Sequence, residues 1–158
     1  MTQEKKRTPN PEMTVAGLKT ANFATISLGD QARFSKTITE EDVKRFAELT
    51  GDFNPIHLNQ EFAAASPFKK RLVHGAFGAS LISAVLGMKL PGPGALYVSQ
   101  DLKFKKPAFI GDTLTAVATV VEKFTKKKGE LKFLRIRTEL LNQDDVLITE
   151  GEALVLVM

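Results

Sequence analysis

The segment from Gly75 to Leu86 restricts the possible folds more than any other part of the chain. Ala76, Phe77, Gly78, Ala79, Ser80, Leu81, Ile82, Ser83, Ala84, Val85 and Leu86 follow one another without a charge and without a polar face. A helix that is apolar on all sides must be enclosed by other elements. This one is too short to cross a bilayer, so protein has to enclose it. Gly87 and the run Pro91-Gly92-Pro93-Gly94 stop it. Beyond that stop the apolar period changes to two, giving strand candidates at Ala95–Phe104, Thr113–Phe124, Leu131–Leu141 and Val146–Val157. The four are long and the last three have hairpin-length connections, which predicts an antiparallel meander. Upstream, Ser27–Ile38 reads as a turn and a short strand. One strand before the helix and several after it predict an α+β fold, a sheet wrapped around a central apolar helix.

A length of 158 residues fits one domain, expected over 23–158 behind a flexible N-terminal tail over 1–22. No cysteine is present, which removes disulfides, thiolate metal sites and cysteine nucleophiles together. The only two histidines are far apart in sequence, so no metal site is expected. A net charge of +4 reads as a solvated surface, and the basic residues lack the aromatic interleaving of a nucleic-acid binder. No apolar core follows Lys5-Lys6-Arg7, and Glu4 and Glu12 interrupt any basic presequence. The expectation is a cytoplasmic protein that binds neither nucleic acid nor membrane.

Thr39-Glu40-Glu41-Asp42 has the form of a capping box with three acids in a helix's positive first turn. Val43, Phe46, Ala47 and Thr50 continue it as one stripe, and Gly51 ends it. A turn follows in which Asp52 and His57 stand five residues apart, in a segment expected to be irregular. Asp and Asn favour turns, and Pro55 biases Asn54 towards an extended backbone. A turn aiming Asp52 and His57 at one point makes a general acid–base pair. A short helix is expected over Gln60–Ala65. The second histidine, His74, lies in Leu72-Val73-His74-Gly75 at the mouth of the apolar helix, so both histidines border one site.

The pattern Phe46, Leu49, Thr50, Gly51, Asp52, Asn54, Pro55, Ile56, His57 and Ala63 matches, position by position, the signature of a known family. The chain resembles the hotdog fold and, within it, the MaoC-like (R)-specific enoyl-CoA hydratases. The similarity continues through Val73-His74-Gly75, Gly94 to Tyr97, Phe104 to Asp112 and Gly151-Glu152-Ala153, covering roughly residues 25 to 158. The resemblance implies addition of water to a trans-2-enoyl thioester, giving an (R)-3-hydroxy product by syn addition. Asp52 and His57 would hold and deprotonate the water. The Gly75 N–H would stabilise the enolate, because first-turn amides are unpaired and a glycine lets a ligand come close. Asn54 is expected to orient Asp52 or the His57 ring, and His74 to position the loop before Gly75 at the substrate site. Ser83 and Leu86, further along the helix, are candidates for the acyl pocket. Lys105, with Lys103 and Lys106, is a candidate for the coenzyme A phosphates. No cofactor is expected beyond the coenzyme A thioester as substrate, and a homodimer is implied. Alternatives are a dehydratase acting in reverse on an acyl carrier protein, a thioesterase, and a non-catalytic acyl-thioester binder. Hotdog thioesterases place an acid on or beside the central helix, and this helix has none.

Overall fold

A computed structural model describes residues 19–158. Of the expected tail, residues 1–18 lie outside the described residues. Ala21 and Asn22 at its end are tied to the domain. The Ala21 amide donates to the Pro93 carbonyl (2.7 Å), and Asn22 caps a 3₁₀ turn at Phe23–Thr25. Then come β1 (Gln31–Thr37), α1 (Glu40–Thr50), α2 (Pro55–Leu58), α3 (Gln60–Ala65), α4 (Gly75–Met88), β2 (Ala95–Phe104), β3 (Thr113–Lys126), β4 (Leu131–Leu141) and β5 (Leu147–Val157). The five strands form one antiparallel sheet in the order β1-β3-β4-β5-β2, and α4 packs on it, chiefly against β3. This is the helix-in-sheet arrangement that the resemblance implies.

Three expectations need correction. The meander is β3-β4-β5 only. β2 does not precede β3 in it but lies at the opposite edge, paired with β5 from Ala95↔Val157 to Phe104↔Thr149. The reason is the 105–112 connection, which is no hairpin. It contains Pro107 and bridges back to the segment before α4 through Leu72↔Phe109. Second, the Asp52–His57 segment is not wholly irregular, because Pro55–Leu58 forms a single helical turn, α2. Asn54 caps it and Pro55 occupies its first position, where a missing N–H costs nothing. Third, one chain does not enclose α4 on every side. Phe77, Gly78, Leu81, Ile82, Val85 and Leu86 are buried, whereas Ala76, Ser80 and Ser83 face out.

The buried face of α4 meets Leu114, Ala116, Ala118 and Val120 of β3 with Leu134, Ile136, Leu140 and Val155 of the neighbouring strands. Two alanines beneath the helix let it approach the sheet closely. Bulges at Val120/Glu122 and Tyr97/Ser99 add local twist where the sheet curves round the helix. Upstream, the capping box forms as expected: the Asp42 amide donates to Thr39 Oγ1 (3.1 Å) and the Thr39 amide to Asp42 Oδ2 (2.9 Å). Gly51 closes α1 in the left-handed region (φ 83°), its N–H donating to the Ala47 carbonyl. No described helix is long and apolar enough to cross a membrane.

Gly151 shows how tightly β2 and β5 are joined, since a Cβ there would stand 1.9 Å from the Asp101 carbonyl oxygen. Gly151→Ala is expected to cost about 2 kcal/mol of stability as overpacking against backbone, and Thr39→Ala about 1 kcal/mol as a lost cap. Urea midpoints of the two variants against the parent chain measure both.

Candidate active site

The site is assembled at the N-terminal end of α4, where three irregular segments meet. The first is the α1–α2 turn. Asp52 Oδ1 accepts from the Asn54 amide (3.2 Å) and Asn54 Oδ1 from the Ile56 amide (3.2 Å), so consecutive side chains shape the turn and start α2. The second is the link before α4. The His57 amide belongs to α2, but its ring reaches across: His57 Nδ1 lies 2.8 Å from the Leu72 carbonyl oxygen, while the Leu72 amide donates to the Ile56 carbonyl (3.1 Å). A carbonyl only accepts, so Nδ1 carries the proton and Nε2 keeps its lone pair. The third segment is the β2–β3 connection, held to this link by the Val73 amide on the Ala108 carbonyl (2.8 Å).

A carboxylate oxygen of Asp52 and a ring nitrogen from each of His57 and His74 lie within 4.8 Å of one another. Two hydrogen bonds of ordinary length span that distance through one water. The His57 ring is half-buried and its pKa is lowered from 6.5. Burial is the main cause, opposed by the Leu72 carbonyl, with the neighbouring His74 lowering it and Asp52 raising it. The neutral, proton-accepting ring therefore persists into mildly acidic solution. The same three groups have the composition of a metal site. However, the two imidazoles are stacked with centroids 3.9 Å apart and planes 29° from parallel, so their lone pairs do not converge on one ion.

The first intrahelical bond of α4 runs from the Gly78 amide to the His74 carbonyl (3.2 Å), and the His74 side chain does not cap the helix. The amides of Gly75, Ala76 and Phe77 thus have no intrahelical acceptor and face the positive end of the helix dipole. A Cβ on Gly75 would stand 2.9 Å from the Phe104 ring, so only glycine leaves the ring where it is.

A cavity of about 440 Å³ opens here, bordered by His57, His74, Gly75, Lys105 and Lys106 and walled by Val73, Gly78, Phe104, Leu114, Leu140 and Ile148. The structure thus brings His57, His74, Gly75 and Lys105 to one cavity, while exposed Asp52 does not line it and joins the group through its approach to the two imidazoles. It does not place Ser83 and Leu86 with them: these line a separate cavity of about 80 Å³ with Ala95, Tyr97 and Val155. The Asn54 side chain makes no hydrogen bond to the His57 ring or to Asp52: its Oδ1 accepts from the Ile56 amide, and it is the Asn54 backbone amide that donates to Asp52 Oδ1. Lys105 forms an ion pair with Glu150 (3.2 Å), leaving Lys106 as the cavity's lysine without an ion-pair partner among the described residues. The apolar wall was not foreseen, although one signal pointed to it. Gly78 stands one turn after Gly75, and a Cβ there would be 2.8 Å from Leu140.

A model of the MaoC-like domain matches residues 2–142. The chain belongs to the MaoC-like domain family. It is 49% identical over 135 residues to an (R)-specific enoyl-CoA hydratase of Rhodospirillum rubrum, covering 85% of this chain and 90% of that protein. It is 43% identical over 140 residues to a 3-hydroxybutyryl-CoA dehydratase of Methylorubrum extorquens, covering 89% and 86%. Among solved structures, an (R)-hydratase from A. caviae superposes with a TM-score of 0.79 at 39% identity, covering 85% of this chain and 98% of that one. The α+β architecture is the hotdog fold of these hydratases.

NMR titration checks the site's electrostatics directly, because only two imidazoles contribute. His57 is expected to titrate below 6.5 with its proton on Nδ1 at neutral pH; a value at or above 6.5 contradicts the burial and stacking described.

Proposed function

We propose that this protein is an (R)-specific enoyl-CoA hydratase that adds water to trans-2-enoyl-CoA and yields (R)-3-hydroxyacyl-CoA. The observation that carries this reading is the approach of Asp52 and His57 to within reach of one water, with His57 lining the same cavity as Gly75 at the start of α4. In this reading Asp52 holds the water and His57 Nε2 takes its proton as the oxygen attacks C3. The electron pair of the C2–C3 double bond moves through the thioester carbonyl to its oxygen, giving an enolate. The Gly75 amide and the dipole of α4 stabilise that charge. As the enolate collapses, the imidazolium returns a proton to C2, and both additions come from the face that carries the dyad. Every group in the scheme comes from the chain or the substrate, so no cofactor is needed.

The reverse reaction, loss of water from a 3-hydroxyacyl thioester, uses the same groups, and the dehydratase name of the Methylorubrum extorquens relative supports it as the second reading. In this reading Lys106, which borders the cavity, meets a phosphate of the carrier. We also propose that a second copy covers the open stripe of α4 and the free edge of β2. That strand is at the sheet's rim, with Leu96, Val98 and Phe104 about half exposed. A cytoplasmic location fits a chain without cysteine.

Purified protein is expected to consume crotonyl-CoA, followed as loss of the conjugated thioester absorbance, without releasing free thiol. Thiol release would point to hydrolysis instead. Asp52→Asn and His57→Gln are each expected to lower kcat by roughly 10²-fold while the far-UV circular dichroism stays unchanged. Normal turnover in Asp52→Asn rules out the mechanism. Size-exclusion chromatography with light scattering is expected to give twice the chain mass; a monomer contradicts the paired arrangement.

A further inference from the structure

We propose that His74 is the positioning residue for both halves of the dyad: it anchors the turn that carries Asp52 and backs the ring of His57. Its effect on turnover rests on the hydratase reading, whereas its effect on His57 does not.

Asp52 sits on a turn with few ties to the rest of the chain. The bonds within its turn are local: the Asp52 amide to Thr50 Oγ1 (3.3 Å), the Phe53 amide to the Gly51 carbonyl (3.2 Å) and the Asn54 amide to Asp52 Oδ1 (3.2 Å). Bonds of this kind shape the turn but move with it. Among the described residues, one hydrogen bond ties residues 52–54 to another part of the chain. It runs from His74 Nε2 to the Asp52 carbonyl oxygen at 3.0 Å, across 22 positions of sequence. The acceptor fixes the tautomer, so Nε2 bears the proton and Nδ1 is bare.

Burial makes this arrangement informative. His74 is 2% exposed, and its Nδ1 is buried without a hydrogen-bond partner. An apolar ring would fill the same space without leaving a polar atom unpaired, a defect that costs stability. The imidazole supplies what such a ring lacks, a donor aimed at the Asp52 carbonyl. One face of the same ring stacks on His57 at 3.9 Å, and Phe46 of α1 packs against it at 4.9 Å. Phe46 in turn meets Phe77 of α4 edge-on at 5.3 Å. The catalytic ring is therefore seated on a rigid aromatic stack rooted in α1 and α4.

The remaining charged groups around this stack are accounted for. Asp52 faces it from the α1–α2 turn. Lys105 and Lys106 line the cavity from the β2–β3 connection, with Lys105 paired to Glu150 of β5. Arg71, next to Leu72, is paired with Glu40 of α1 (2.8 Å). Among the described residues, His74 is the one aromatic side chain stacked with His57.

Two variants separate the roles. His74→Phe keeps an aromatic ring and removes the donor. His74→Gln sets an amide N–H near the position of Nε2 and removes the stack. For crotonyl-CoA, His74→Phe is expected to lower kcat about tenfold or more with KM changed by less than about threefold, because misplacing a reacting group by a fraction of an ångström costs turnover rather than binding. His74→Gln is expected to regain part of that loss. In His74→Phe, His57 is the sole imidazole, and its NMR titration is expected to shift, because the ring stacked on it and the bond that seats Asp52 beside it have both changed. The acid limb of the kcat profile follows it. Folded His74→Phe with parental kcat and an unmoved His57 titration overturns the proposal, even if its melting temperature has fallen. Should His74→Phe not fold, the decision passes to His74→Gln, where a parental kcat and an unmoved His57 titration overturn it. If the parent chain leaves crotonyl-CoA untouched, the hydratase reading fails and the His57 titration alone decides the role of His74.

Discussion

The burial of one face of α4 against the curved sheet fixes everything else in this molecule. Phe77, Leu81, Ile82 and Val85 are each almost fully withdrawn from water against β3 and its neighbours. Each such side chain contributes about 1.5–3 kcal/mol relative to exposure, so the position of the helix on the sheet is set by the largest favourable term available to a chain of this size. Because α4 cannot slide, its N-terminus is a fixed point. Each segment of the site is referred to that point: the His74 ring just before its first residue, Leu72 two positions earlier, and the β2–β3 connection bridged to Leu72. The site is made of irregular backbone, yet none of that backbone is loosely held.

The division between what could and could not be read from the sequence follows the range of the interactions. Thr39, Asp42 and Gly51 announced the two ends of α1 because caps are made within one turn. All four later strands were legible at one or both of their ends because alternation is local as well. The place of β2 was not, since pairing with β5 is decided by a non-local register and by a connection that crosses the helix end instead of turning back. α2 was missed although Asn54 and Pro55 are a cap and a first-turn proline; a helix of one turn has no apolar period to betray it.

The candidate site divides in the same way. Asp52, His57 and Gly75 were legible because a spaced motif and a helix start carry them. Ser83 and Leu86 lie on the same helix as Gly75, but the face a helical residue occupies is set by packing, and theirs turns to a different cavity. The apolar wall formed by Leu114, Leu140 and Ile148 comes from three strands that the sequence separates widely. Only the glycine at position 78, making room for Leu140, hinted at it.

The bond between the His57 ring and the Leu72 carbonyl leaves the imidazole with one working end. A proton can board and leave only through Nε2, so the ring does not relay charge onward to bulk solvent through its far side. In the proposed reaction, the hydrogen taken from oxygen and the hydrogen delivered to carbon share a single doorway. Handedness in the product is then a matter of which wall of the cavity that doorway is set into.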